Sequence, residues 1–315
     1  MVKSPRIMAA HAAMLTVSLL YGVNYFTMQG LLGEHHNHFA IVAMRVIVGA
    51  AIFVPYQLLV VRERITDRKD LWRLAACALF GITINQELFV WGLGNTAKVN
   101  AAVLMIGTPV FVFLVLWLGG KDRISLAKVG GLLAGVLGSL GLIFLNYDGG
   151  VRFSTETLFG DVLITCNAAS YGIYLVLVRP LAMKYNTFTI MAGMFALSLP
   201  PVLLIGGAPL AHFDFAGMSQ QAWFGLAFLI LGATLAAYFL NGWAMRHVSS
   251  AAVGVCIFVQ PIFVTLGSAM LEKGSITWFK LLFILLIFAS VYLVVMHKES
   301  NPRKNENNSR GNSSK

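Results

Sequence analysis

Apolar runs of about 20 residues, separated by short polar links, fill this chain from residue 8 to residue 297. At 1.5 Å per residue, one such run spans the hydrocarbon core of a bilayer as a helix. The pattern predicts ten membrane helices at about 8–31, 38–61, 71–93, 97–119, 126–146, 158–179, 187–206, 222–243, 248–271 and 277–297. Lys3 and Arg6 precede the first run as they would in a signal peptide. The run is too long for that role and reads as an uncleaved first span. Residues 299–315 are polar and are expected to be a disordered tail.

The runs recur in two sets of five. The longest link, Asn146 to Thr157, divides them into expected domains at 7–148 and 157–298. Tyr21-Gly22 aligns with Tyr171-Gly172, Asn100-Ala101-Ala102-Val103 with Ser250-Ala251-Ala252-Val253, and Pro109-Val110-Phe111-Val112 with Pro261-Ile262-Phe263-Val264. Five crossings are an odd number, so the second set enters from the opposite face and the repeats are inverted. Inverted repeats supply two related conformations, one open to each side, as alternating access requires. The expected fold is an all-α membrane protein, with ten transmembrane helices around a central cavity.

Composition agrees with the pattern. Hydrophobic residues make up 58% of the 315 and charged residues 11%, and the mean hydropathy is +0.76. The lipid bilayer is therefore the partner that solvates most of the surface. The net charge of +10 does not point to nucleic acid, because Lys and Arg gather in the links rather than on a basic face. Eighteen of the 23 lie on the side of the N-terminus and four on the other, which predicts that both termini are cytoplasmic. The remaining cation, Arg45, lies inside the second run. Cys77, Cys166 and Cys256 fall in separate runs and read as small packing residues.

These residues resemble the EamA-type repeats of the drug/metabolite transporter superfamily, bacterial ten-helix carriers that include amino-acid exporters. In the first copy the likeness rests on Ala43-Met44-Arg45, on Asn100-Ala101-Ala102 leading to Thr108-Pro109-Val110, and on Gly119 to Ser125. In the second it rests on Gly160-Asp161, on Ser249-Ser250-Ala251-Ala252 leading to Gln260-Pro261, and on Leu271-Glu272. The family often has Gly-Glu after its fourth and ninth helices; here those places hold Gly120-Lys121 and Leu271-Glu272, so the first copy lacks the acid. The resemblance implies a carrier in the cell inner membrane that exports small metabolites.

Glu87 is the one carboxylate deep in an apolar run, where an unpaired charge costs about 3 kcal/mol or more. It and Arg45 lie at similar depth from the same side, roughly 9 Å at 1.5 Å per residue, so an ion pair is geometrically available. Glu87 is read either as the carrier of a coupling proton or as half of a structural pair. Arg45 is read either as the anchor of a substrate carboxylate or as the other half. Tyr21 and Asn24 share one helix face, as do Asn167, Tyr171 and Tyr174, at spacings that suit cavity lining or interhelical packing.

Gln86 and Tyr238 occupy equivalent repeat positions, as do Thr108 and Gln260 before the prolines. Pro109 and Pro261 each remove a backbone donor and are expected to kink their helices, freeing a carbonyl one turn earlier. Asn241 and Trp243 near the inner end of the eighth span fit either a gate or an interfacial anchor, and Trp91 near the outer end of the third is similarly placed. The Glu34-His35-His36-Asn37-His38 segment fits no defined metal motif and is read as a solvated loop.

The chain contains no Gly-x-Ser-x-Gly, no His-Glu-x-x-His and no paired membrane aspartates, so an enzyme is not expected. No cofactor is called for. A carrier of amphipathic small molecules is the first reading, with amino acids as the substrate class and protons as a candidate coupling ion. An exporter of hydrophobic cationic drugs and a passive channel are the alternatives.

Overall fold

The computed structural model describes residues 5–33, 37–96, 98–120, 125–146, 154–271 and 277–296. Within them the chain is helical and forms no strand. Ten segments cross the bundle: α1 (Pro5–Gly33), α2 (His38–Val61), α3 (Arg68–Gly94), α4 (Lys98–Met105 and Thr108–Leu118), α5 (Leu126–Asn146), α6 (Leu158–Lys184), α7 (Thr187–Ala211), α8 (Gln220–Ala244), α9 (Ser250–Leu271) and α10 (Trp278–Met296). Nine of the described segments are long and apolar enough to cross a membrane unaided; α9 carries a shorter apolar stretch, Ser250–Phe263. Large apolar side chains cover the outside of the bundle, among them Leu204, Leu126 and Trp278 at 87%, 91% and 86% exposure. Such a surface is stable against lipid and not against water.

Caps explain where the helices begin. The Asn37 side chain accepts from the Phe39 and Ala40 amides to start α2, and Asn186 accepts from the Phe188 amide to start α7. Ser219 and Ser249 do the same for α8 and α9. Each satisfies a backbone donor that the first turn leaves over.

The packing has a pseudo-twofold pattern. Equivalent helices α2 and α7 pack on each other, as do α5 and α10, while α3 against α6 repeats α8 against α1. Glycines permit these approaches. A Cβ on Gly49 of α2 would run into the Phe195 ring of α7, and Gly131 and Gly138 of α5 face Ser290 and Ile287 of α10. Lipid gives helices no hydrophobic reason to associate, so close packing of this kind is what holds them.

Two pairs of helices leave regular geometry at equivalent places. α3 is π-helical at Leu79–Thr83, and α8 is π-helical at Leu231–Ala236. α4 breaks at Ile106–Gly107, with Pro109 in the first turn of its second part. α9 tightens to a 3-10 turn at Cys256–Val259, and Pro261 follows one residue into the next helix. A proline has no N–H to continue the preceding ladder, which is why both breaks sit just before it.

Polar clamps tie α6 to α3 on one face and to the α3–α4 link and α4 on the other. On the face where α1 begins, the near face, buried Asp70 accepts from Lys184 Nζ (2.7 Å), Arg73 Nη1 (3.0 Å) and Tyr185 Oη (3.0 Å). On the far face, Asp161 accepts from Asn100 Nδ2 (3.1 Å), Thr157 Oγ1 (2.9 Å) and Thr96 Oγ1. Cys77 and Cys256 are buried, but Cys166 is exposed on the outside of α6, so it is not the packing residue its apolar surroundings suggested. Glu34, His35, His36 and the tail 299–315 lie outside the described residues.

Candidate functional site

A cavity of about 120 Å³ lies between the two halves. Tyr21 and Asn24 of α1, Arg45 of α2, Gln86 of α3, Asn167 and Tyr171 of α6, Tyr238 of α8, and Gln260 and Pro261 of α9 all line it. Arg45 stands eight residues past the Asn37 cap at the far end of α2, and Gln86 in the last third of α3. The cavity therefore occupies the middle and far half of the bundle.

Its floor is a three-residue cluster. Asn241 Nδ2 donates to Tyr171 Oη (2.8 Å) and Tyr21 Oη (3.4 Å), and the two hydroxyls are 3.4 Å apart. The two tyrosines are repeat equivalents and meet edge to face, with ring centroids 6.3 Å apart. Below them, on the near side, lies a void of only about 10 Å³ that shares Tyr21, Tyr171 and Gln260. Ser18 closes this layer further by donating to the Cys256 carbonyl at 2.8 Å.

The π segments set the polar groups around the cavity. In α8, Thr234 Oγ1 donates to the Leu229 carbonyl (2.7 Å) and accepts from Arg45 Nε (2.7 Å). In α3, the Gly81 carbonyl accepts from Tyr238 Oη (2.7 Å), which in turn accepts from Gln86 Nε2 (3.4 Å). Ser170 and Ser198 donate to the neighbouring Phe80 and Ala78 carbonyls. A π turn displaces carbonyls from the regular ladder, and here hydroxyls from other helices satisfy several of those nearby.

The Arg45–Glu87 ion pair that their similar depth makes available does not form. Arg45 turns to Thr234, while both Glu87 carboxyl oxygens are buried without a hydrogen-bond partner. Helical spacing explains the difference. Asn85, Gln86 and Phe89 line the cavity, whereas Glu87 lies about 100° around the helix from Gln86.

Four more of the singled-out residues lie off the cavity lining. Trp91 packs between Phe39 and Phe159, with ring centroids at 5.9 and 5.2 Å. Tyr174 sits one turn below the floor, its ring against Gly81 and tilted beside that of Tyr171 at 5.6 Å. Thr108 is fully buried with an unpartnered hydroxyl, and Asn241 belongs to the floor. Pro109 also stands away from the cavity, unlike Pro261, and Trp243 packs edge to face on His247. Among the described residues no three His, Cys, Asp or Glu side chains gather as metal ligands. The lining also includes Asn85, Phe89, Met105, Ile106, Ile143 and Ile257, which the sequence did not single out.

The profile of the EamA-like transporter family matches this chain twice, over residues 8–144 and 158–296. The chain belongs to the EamA-like transporter family. An "uncharacterized transporter" of Archaeoglobus fulgidus is 26% identical over 225 residues, covering 70% of this chain and 74% of that protein. The "uncharacterized transporter YetK" of Bacillus subtilis is 19% identical over 237 residues, covering 74% and 70%. A WAT1-related protein of Arabidopsis thaliana is 27% identical over 92 residues, covering 27% and 26%. A crystal structure of a protein with 18% sequence identity superposes with a TM-score of 0.71 over 92% of this chain and 96% of the other, which establishes a shared fold. This EamA-like protein is accordingly a multi-pass membrane transporter of the drug/metabolite transporter superfamily.

Proposed function

We propose that this EamA-like transporter exports amino acids, or zwitterions of similar size, across the cell inner membrane by proton-coupled alternating access, with both termini cytoplasmic. The observation that carries this reading is the polarity of the cavity wall. Arg45 is the one formally charged side chain among the described lining residues, and it is 5% exposed. With its Nε on Thr234, the rest of the guanidinium fork matches a carboxylate.

Two lining amides are held with their oxygens as free acceptors. The single Tyr238 hydroxyl proton is committed to the Gly81 carbonyl, so Gln86 must present its NH₂ to Tyr238 and leave Oε1 unpartnered. Asn167 donates its NH₂ to the Asn85 carbonyl and leaves Oδ1 unpartnered. Asn24 Oδ1 is a third buried acceptor without a partner. An ammonium group carries three donors and no acceptor, which is the complement of this set. Phe89, Ile106, Ile143 and Ile257 supply apolar wall for a side chain.

A hydrophobic cation fits less well, because the one formal charge on the wall is positive and Glu87 is turned away. A passive pore is disfavoured by the Asn241 floor, which separates the cavity from the near face. Counterflow in proteoliposomes tests the reading. Unlabelled substrate inside is expected to accelerate entry of at least one labelled amino acid, with saturation. Flux that rises linearly with concentration and shows no counterflow contradicts it.

A further inference from the structure

We infer that Glu87 and Thr83 form a proton-binding site outside the substrate cavity, so that proton and substrate occupy the carrier on different faces of α3. The inference rests on the carrier reading above and locates its coupling. Glu87 and Thr83 are each 6% exposed, and the two carboxyl oxygens and the hydroxyl are all buried without a hydrogen-bond partner. The residues stand one helical turn apart, so these oxygens share one stripe of α3. Trp91, one turn further along, fixes where the stripe looks, since it packs on Phe39 of α2 and Phe159 of α6.

Among the described residues, neighbouring charges do not occupy the site. On α2, Arg45 is bonded to Thr234 and His38 lies at the far end against Phe39. On α6, Asp161 is held by Asn100 and Thr157, Tyr171 by Asn241, and Tyr174 makes no bond to Glu87. Tyr21 of α1 belongs to the floor. Two residues offer three oxygens, fewer than hard metal cations gather, whereas one proton needs only a carboxylate. Binding converts the Glu87 carboxylate to the neutral acid with no electron transfer, and release returns the proton to water when the α2 and α6 faces part. The other half has no such site: Leu235 and Phe239 take the places of Thr83 and Glu87, and Phe239 packs on Phe188 at 4.8 Å.

Infrared difference titration of the purified protein tests the site without any substrate. A carboxyl band that titrates in the wild type is expected to vanish in Glu87→Gln, and its midpoint to shift in Thr83→Val. In proteoliposomes, Glu87→Gln should retain amino-acid counterflow while pH-gradient-driven accumulation falls about tenfold or more. An unchanged carboxyl titration in both variants, or undiminished gradient-driven accumulation in Glu87→Gln, overturns the inference. Loss of counterflow together with accumulation in Glu87→Gln overturns the separation of the two sites. If wild-type carrier shows no counterflow with any amino acid, the substrate reading fails, and the infrared titration still decides whether Glu87 binds a proton.

Discussion

Helix α3 turns π-helical at Leu79–Thr83, and α8 does so 152 positions later at Leu231–Ala236; beside each, a hydroxyl satisfies a carbonyl. These two π segments form a pair, as do Pro109 and Pro261, whereas the π turn at Gln57–Val61 of α2 has no counterpart in α7. Side-chain chemistry does not come in pairs. Arg45 stands eight residues past the Asn37 cap, and eight past the equivalent Asn186 cap stands Met194. Thr234 of the α8 π segment corresponds to Ile82 of the α3 one, and Met194 and Ile82 are both fully buried. Arg45 of the first half thus bonds to Thr234 of the second, whereas the repeat-related positions, Met194 of the second half and Ile82 of the first, are both apolar. On the proposed carrier reading, what is doubled serves the exchange between two states, and what is single serves the ligand.

Making the single features symmetric should break the carrier. Arg45→Met, which installs the second half's residue, is expected to lower amino-acid counterflow about 100-fold while the protein remains folded, since a buried charged contact costs about 2–5 kcal/mol to lose. Size-exclusion chromatography and melting temperature supply the folding control. Asn241→Ala removes both amide donations to the floor hydroxyls, and about tenfold weaker gradient-driven accumulation with a faster passive leak should follow, read as efflux of preloaded label. Thr234→Val takes away the acceptor that orients Arg45. A rise in the half-saturating concentration of several-fold is expected, in line with about 1 kcal/mol for one such bond.

The doubled features should respond differently. A Cβ on Gly81 would overlap the Tyr174 ring. Gly81→Ala is therefore expected to destabilise the fold by about 1–3 kcal/mol, lowering the melting temperature, with the half-saturating concentration nearly unchanged. A large change in substrate affinity in that variant would show that the π segments, too, discriminate substrate.

The hydrophobic pattern located all ten helices because span length and proline position are local properties. The repeat and its inversion followed from counting crossings. The partner of Arg45 was not legible, because it depends on which helix α2 faces across the bundle, and nothing in the runs marks Thr234 as nearer than Glu87. The apolar wall of Phe89, Ile106, Ile143 and Ile257 was hidden for a different reason, since lipid-facing and cavity-facing apolar side chains read alike. Asn85 was more accessible. It is a polar residue within the third run, next to Gln86, and its place on the cavity wall follows from the same costs that drew attention to Glu87. The paired π segments of α3 and α8 carry no pattern beyond a glycine each, Gly81 and Gly232.

The charge of the cavity wall is most directly tested by competition binding to the purified carrier, with one labelled amino acid as probe. Its unlabelled parent should displace the label, and the amine that lacks only the carboxylate should fail to do so; Arg45→Met should bind neither. Equal displacement by the amine, or undiminished binding by Arg45→Met, would contradict the account.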